Sequence, residues 1–253
     1  VSPARFDSPL WECIDERLRR EVRRRRPTAA RLARAAAVAD VLAREFPRAD
    51  CALHFTTPFE LLVATILSAQ CTDARVNMVT PALFRKYPRP ADYRDAPEGA
   101  LEADIRSTGF YNTKARAIRE MAATVCERFG GEIPVAMEDL LTLRGAARKT
   151  ANVVRMHAFH LPGIAVDTHV TRLSRRLGLT RATDPEKIEF DLAALLPPER
   201  WTHFADALIL HGRKTCHARN PRCGECPMAT LCPTAGTHAA KSTTKPRKAR
   251  SQS

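Results

Sequence analysis

The chain has no long hydrophobic run, no internal repeat, no convincing alternation of apolar and polar residues, and very little lysine. Its longest apolar stretch, around Leu61 to Leu67, is interrupted and far shorter than the roughly 20 residues that span a bilayer, so no membrane segment is expected. The first thirty residues hold Asp7, Glu12, Asp15, Glu16 and a dense arginine run. They contain no apolar core followed by small residues, which argues against a secretory leader and for a reducing, cytoplasmic compartment. The missing alternation argues against a sheet protein, and a hydrophobic content of 44% excludes a chain that is disordered throughout.

What is abundant is positive charge. Among 253 residues, Lys and Arg number 41 against 28 Asp and Glu, a formal surplus of +13. Of the 41, only 8 are lysine and 33 are arginine. The arginine fork suits phosphate oxygens, so a polyanion is the expected partner. Charge concentrates at both ends. Residues 1–27, with Arg23, Arg24, Arg25 and Arg26, are read as a basic extension outside the core. Residues 236–253, with Lys241, Lys245, Arg247, Lys248 and Arg250 among Ser, Thr and Pro, are read as a disordered basic tail.

Between the ends the periodicity is helical. Thr28 is placed to cap a helix that runs to Phe46, before Pro47. Pro58 opens a helix to Leu67 that is apolar on nearly every side and is expected to be central. Further helices are expected at 75–86, 101–107, 113–129, 137–142, 148–159, 167–177, 185–195 and 202–211. The fold class is all-α.

Three local signals carry chemistry. Cys216, Cys223, Cys226 and Cys232 place four thiols within 17 residues, a spacing that suits either zinc or an iron-sulfur cluster. Leu140 to Val154 reads as a helix, a tight turn through Gly145, and a second helix. Backbone N–H groups at such a helix start can hold a DNA phosphate. Finally, an apolar run ends in Asp167-Thr168-His169, where Asp167 can cap a helix.

Together, the hairpin with Lys149, the Asp-Thr-His run and the terminal cysteines resemble the endonuclease III family of helix-hairpin-helix DNA glycosylases. The resemblance extends through Leu67 to Asp73, Gly109 to Ala115 and Leu208 to Gly212, and covers roughly residues 28 to 235. It implies two α-helical domains flanking a DNA cleft: a six-helix barrel over residues 51–161, and a cluster domain from 28–50 and 162–235. It also implies a [4Fe-4S] cluster on Cys216, Cys223, Cys226 and Cys232, with Cys13, Cys51, Cys71 and Cys126 left as ordinary core or surface thiols. The implied partner is damaged double-stranded DNA, bound by a monomer in the bacterial cytoplasm, at the nucleoid.

The resemblance further implies the chemistry. Lys149 matches the lysine that attacks the anomeric carbon of a flipped nucleotide and forms a Schiff base. Asp167 matches the carboxylate that stabilises charge on the sugar. The implied activity is excision of oxidised pyrimidines followed by β-elimination. Gln70 matches the glutamine that fills the gap left by the flipped nucleotide, and Phe110 stands where relatives carry a leucine wedge. Arg144, Gly145, Ala147, Arg148 and His169 are the further expected DNA contacts. Adenine-specific mismatch glycosylases share the hairpin, the aspartate and the cluster but lack this lysine.

The chain departs from the family at the turn, where Leu-Pro-Gly-Val-Gly becomes Leu143-Arg144-Gly145-Ala146-Ala147. If the last position needs positive φ, Ala147 costs about 1 kcal/mol and weakens the enzyme. The alternative reading is then a lesion- or structure-binding DNA protein with little turnover.

Overall fold

The computed structural model describes residues 8–237. Most of the expected basic tail therefore lies outside the described residues, as do residues 1–7. All regular secondary structure in the described chain is helical, with no strand among these residues.

Twelve α-helices are present among the described residues. They are α1 (Glu16–Arg24), α2 (Ala29–Glu45), α3 (Pro58–Leu67), α4 (Asp73–Lys86), α5 (Pro90–Arg94) and α6 (Ala100–Asp104). Then follow α7 (Tyr111–Phe129), α8 (Met137–Leu140), α9 (Arg148–His157), α10 (Thr168–Arg176), α11 (Pro185–Ala193) and α12 (Trp201–Lys214).

The starts of these helices are written in short polar side chains. The Thr28 hydroxyl accepts from the Arg31 N–H at α2, Thr57 from Glu60 at α3 and Thr72 from Arg75 at α4. Asp15, Asp167 and Asp184 do the same at α1, α10 and α11. Each cap satisfies a donor that a helix start otherwise leaves open. Pro58 and Pro185 occupy first helical positions, where the missing N–H costs nothing.

Two hydrophobic cores form. One is built from α3 to α9: Leu61, Leu62, Val63 and Ala64 of α3 are fully buried against Val76, Tyr93, Leu101, Ile118, Met121 and Val154. The other joins α2 to the later helices through Ala35, Val38, Leu42, Leu173, Ile188, Trp201, Phe204 and Leu208. Val153 of α9 packs on both, so the second helix of the hairpin lies at the seam.

The N-terminal segment departs from the sequence reading. Residues 1–27 were expected outside the core, yet Trp11, Ile14, Leu18 and Val22 are only 2 to 3% exposed and belong to the second core. The Trp11 ring meets Trp201 edge to face at 6.4 Å. Two arginines of α9 hold the segment: Arg155 donates to the Cys13 carbonyl at 2.9 Å, and Arg148 lies 3.5 Å from the Asp15 carboxylate. The i, i+4 pair Leu18 and Val22 carried the signal, which the surrounding charge obscured. Arg25, one of the expected arm residues, pairs with Asp191 at 3.0 Å and lies over the Phe190 ring.

Candidate active site

α9 begins at the turn expected to hold phosphate. Gly145 adopts φ +86°, a conformation that favours glycine, and a Cβ there would crowd Ile66 at 3.1 Å. Ala147, the N-cap, sits at φ −66°, ψ 166°. This is ordinary extended backbone, so the expected dihedral penalty at Ala147 does not exist: the position never needed positive φ. No side chain caps this helix, which leaves its first-turn N–H groups without an intrahelical partner.

Lys149 is exposed in that first turn. Asp167 reaches the same place from α10: its Oδ1 accepts from the Val170 N–H at 2.8 Å. It is therefore a helix cap and a cavity residue at once. Lys149 and Asp167 line one open groove of about 1000 Å³, together with Thr168, Thr171, Arg172 and Arg175. Those four share one face of α10, at the i, i+3, i+4, i+7 spacing of a helix. The sequence reading overlooked this basic wall, although the spacing was legible. Lys149 and Asp167 also border a narrower cavity at the seam, closed by Ser68, His157, Asp206 and Arg213.

The remaining expected contacts divide. Gln70 and Phe110 are exposed, Phe110 to 64%, and both lie in the left-handed region, with φ of 52° and 49°. Arg144 is exposed and 3.5 Å from Glu120. Arg148 is a correction. Its side chain turns inward and donates to both Glu189 oxygens at 2.7 and 3.0 Å, so its guanidinium is an internal strut rather than a phosphate ligand. Burial works against this charge, but Glu189, Asp15 and Glu186 outweigh it and raise the Arg148 pKa. His169 packs on Gly212, where a Cβ would come within 2.6 Å of its Nδ1. That Nδ1 lies 3.0 Å from Arg172 Nη2, and burial pulls its pKa down, so the ring is a neutral acceptor for Arg172.

The four clustered cysteines line a single cavity with Leu173, Arg176, His211 and Met228. All four thiols are free, and no carboxylate lines the space. Arg176 Nη1 donates to Cys216 Sγ at 3.3 Å, and His211 Nε2 lies 3.5 Å from Cys226 Sγ. Four sulfur donors lining one space, with the Arg176 cation beside them, fit an iron-sulfur cluster, whose thiolates bring negative charge. Arg172 and Arg176 also bond the carbonyls of Cys216, His217 and Ala218. The helix that begins with Asp167 is thereby tied to the cysteine loop.

A lysine at an uncapped helix start, an aspartate across a basic groove and a four-cysteine loop define a DNA repair protein of the helix-hairpin-helix type. Residues 63–198 match the HhH-GPD superfamily of base excision DNA repair proteins, and residues 216–232 match the iron-sulfur binding domain of endonuclease III. The chain is 54% identical to endonuclease III of Synechocystis sp., over 83% of this chain and 96% of that one. It is 48% identical to endonuclease III of Bacillus subtilis, over 76% and 89%. The structure of a trapped covalent intermediate of endonuclease III with DNA, an estranged-adenine complex, superposes with a TM-score of 0.78 at 44% identity, covering 81% of this chain and 97% of that one. A non-covalent endonuclease III–DNA complex matches equally well.

The chain belongs to the endonuclease III family. It is a bifunctional DNA glycosylase and AP lyase of base excision repair and carries a [4Fe-4S] cluster. No helix among the described residues is long and apolar enough to cross a membrane.

Proposed function

We propose that Lys149 and Asp167 are the reacting pair, and that the substrate is an oxidised pyrimidine in double-stranded DNA. The observation that carries this reading is that the two side chains, from separate helices, line one groove whose wall is basic. Such a wall attracts the phosphate backbone and orients it. A saturated pyrimidine stacks poorly and leaves the duplex at lower cost than an intact base, which selects lesions before any contact is made.

In the proposed reaction the Lys149 amine bonds to C1′ of the flipped nucleotide. The glycosidic bond breaks, and the base leaves with the electron pair and takes up a proton. Asp167 faces the sugar as positive charge builds there and accepts a proton from the attacking nitrogen. The nitrogen lone pair then expels O4′, which takes the proton held by Asp167, and the opened sugar is left as a Schiff base on Lys149. Removal of a C2′ proton then expels the 3′ phosphate by β-elimination. That a relative has been trapped as a covalent DNA intermediate supports this route. The cluster, when bound, supplies a rigid anchor for the loop that α10 holds. The bacterial relatives and eight unpaired cysteines support a reducing bacterial cytoplasm.

Gln70 and Phe110 are proposed to enter the duplex beside the flipped nucleotide, where an aromatic ring can stack as well as fill. The uncapped start of α9 and Arg144 are proposed phosphate contacts. The test is borohydride trapping on a duplex with an abasic site. The wild type yields a covalent adduct and Lys149→Ala yields none. An adduct that persists in Lys149→Ala would remove the lysine from the mechanism.

A further inference from the structure

We propose that Lys114 is a positioning residue that locks together the two segments bearing Gln70 and Phe110, so that both side chains enter the duplex as one unit. The inference rests on the reading of Gln70 and Phe110 as the residues that enter DNA.

Lys114 lies in the first turns of α7 and is only 5% exposed. Its Nζ donates to the Leu67 carbonyl at 2.7 Å and to the Thr108 carbonyl at 2.8 Å. Leu67 ends α3, just ahead of Gln70; Thr108 ends a 3-10 turn, just ahead of Phe110. One ammonium thus spans two loops that are distant in sequence and otherwise belong to different helices. The Lys114 backbone N–H also donates to the Phe110 carbonyl at 3.0 Å, so the same residue closes the turn that begins at Phe110.

The two loops share an uncommon feature. Gln70 and Phe110 are both non-glycine residues with positive φ, a conformation that costs about 1 kcal/mol each and survives only where the surroundings enforce it. Both side chains project outward from these strained positions. What enforces the backbone beneath them is a buried cation whose bonds go to carbonyls rather than to a carboxylate. Burying an ammonium is expensive, and burial pulls the Lys114 pKa down accordingly. A methionine of similar length would fill the volume without that cost. The ammonium is therefore explained by the two bonds it makes. Lys114 lines neither cavity that Lys149 borders, so it does not act on the sugar.

The test is a double-mutant cycle on the full-length, cluster-loaded protein. Gln70→Ala, Phe110→Ala and the double variant are made with Lys114 intact and again with Lys114→Met. Affinity is measured for a duplex with a tetrahydrofuran abasic analogue and for the undamaged duplex, at one salt concentration. With Lys114 intact, each single substitution weakens abasic-duplex binding and the two effects are coupled, by about fivefold. With Lys114→Met, abasic-duplex binding falls about tenfold and the coupling drops to about onefold. Binding to the undamaged duplex changes less than about twofold. General destabilisation does not produce this pattern, since it leaves the coupling of the folded fraction intact.

If Gln70→Ala and Phe110→Ala both leave abasic-duplex affinity unchanged, the reading of these residues as entering DNA fails, and the inference with it. If both matter and their coupling survives Lys114→Met, that reading stands and the lock is overturned. Should Lys114→Met not fold, the same ratio is read in Lys114→Leu, which also lacks a donor. A ratio equal to that of the wild type overturns the proposal there as well.

Discussion

Arg148 and Glu189 form a two-pronged ion pair, 2.7 Å from Nε and 3.0 Å from Nη2, directly beside the lysine that faces the groove. The Glu189 side chain is 3% exposed and the Arg148 side chain 14%. Through this pair α9 is fastened to α11, and through Asp15 to the N-terminal segment.

Removing one partner leaves the other charge buried and unpaired. Glu189→Ala is expected to cost about 3 kcal/mol of folding stability, read by urea denaturation. Arg148→Met is expected to leave the salt dependence of DNA binding unchanged, because its guanidinium does not hold phosphate. Arg144→Ala, in contrast, should reduce that slope by about one. A reduced slope in Arg148→Met would return this arginine to the DNA surface.

His157 sits between two carboxylates, with Nδ1 3.2 Å from Asp50 and Nε2 3.5 Å from Asp206. Burial disfavours the imidazolium, but Asp206 and Asp50 outweigh it and raise the pKa above 6.5. A raised histidine contributes stability that is complete below the unfolded pKa and is lost as pH rises through the folded one. Unfolding free energy should therefore fall as pH climbs above about 6.5, and His157→Gln should flatten that part of the profile. Identical slopes in both proteins would show that the imidazole is not the titrating group.

The turn before α9 makes opposite demands on neighbouring positions. Gly145→Ala adds a methyl at φ +86° and 3.1 Å from Ile66, and is expected to lower stability by about 1 to 2 kcal/mol. Ala147→Gly relieves no strain, since φ is already −66°. It should leave thermal stability equal or slightly lower, by up to about 1 kcal/mol of added unfolded-state freedom. A clear rise in melting temperature for Ala147→Gly would contradict the geometry.

Asp167 both caps α10 and faces the groove, and the two roles are separable. Asparagine caps as well as aspartate but carries no charge. Asp167→Asn should keep its melting temperature within a few degrees and lose base excision by roughly 10²- to 10³-fold. Single-turnover release of a damaged base checks it. A collapse of stability instead would mean that the charge of Asp167 holds the fold, so that the two roles are not separable.

Much of this protein is local and therefore legible in the chain. Caps and prolines act on residues within a turn of themselves, so the start at Thr28 and the helix from Pro58 to Leu67 coincide with the structure. One short helix was missed: α5 has five residues, too few to show a period. The four cysteines that line one cavity, and the lysine and aspartate that line one groove, were also legible, because side chains of these types stand out by their spacing.

Which way a side chain turns was not. Arg148 reads as one more base beside a hairpin and is buried against Glu189, while the arginine-rich N-terminus reads as solvated and supplies four core residues. The positive φ at Gln70 and Phe110, and the lysine beneath them, leave no trace in a pattern of residue types. Charge can be neutralised only by partners that folding brings near, and those partners lie far away in the chain. The sequence by itself determined most of the helices, the cysteine loop and the candidate lysine and aspartate; the tertiary structure alone decided which cations line the groove and which hold the scaffold together.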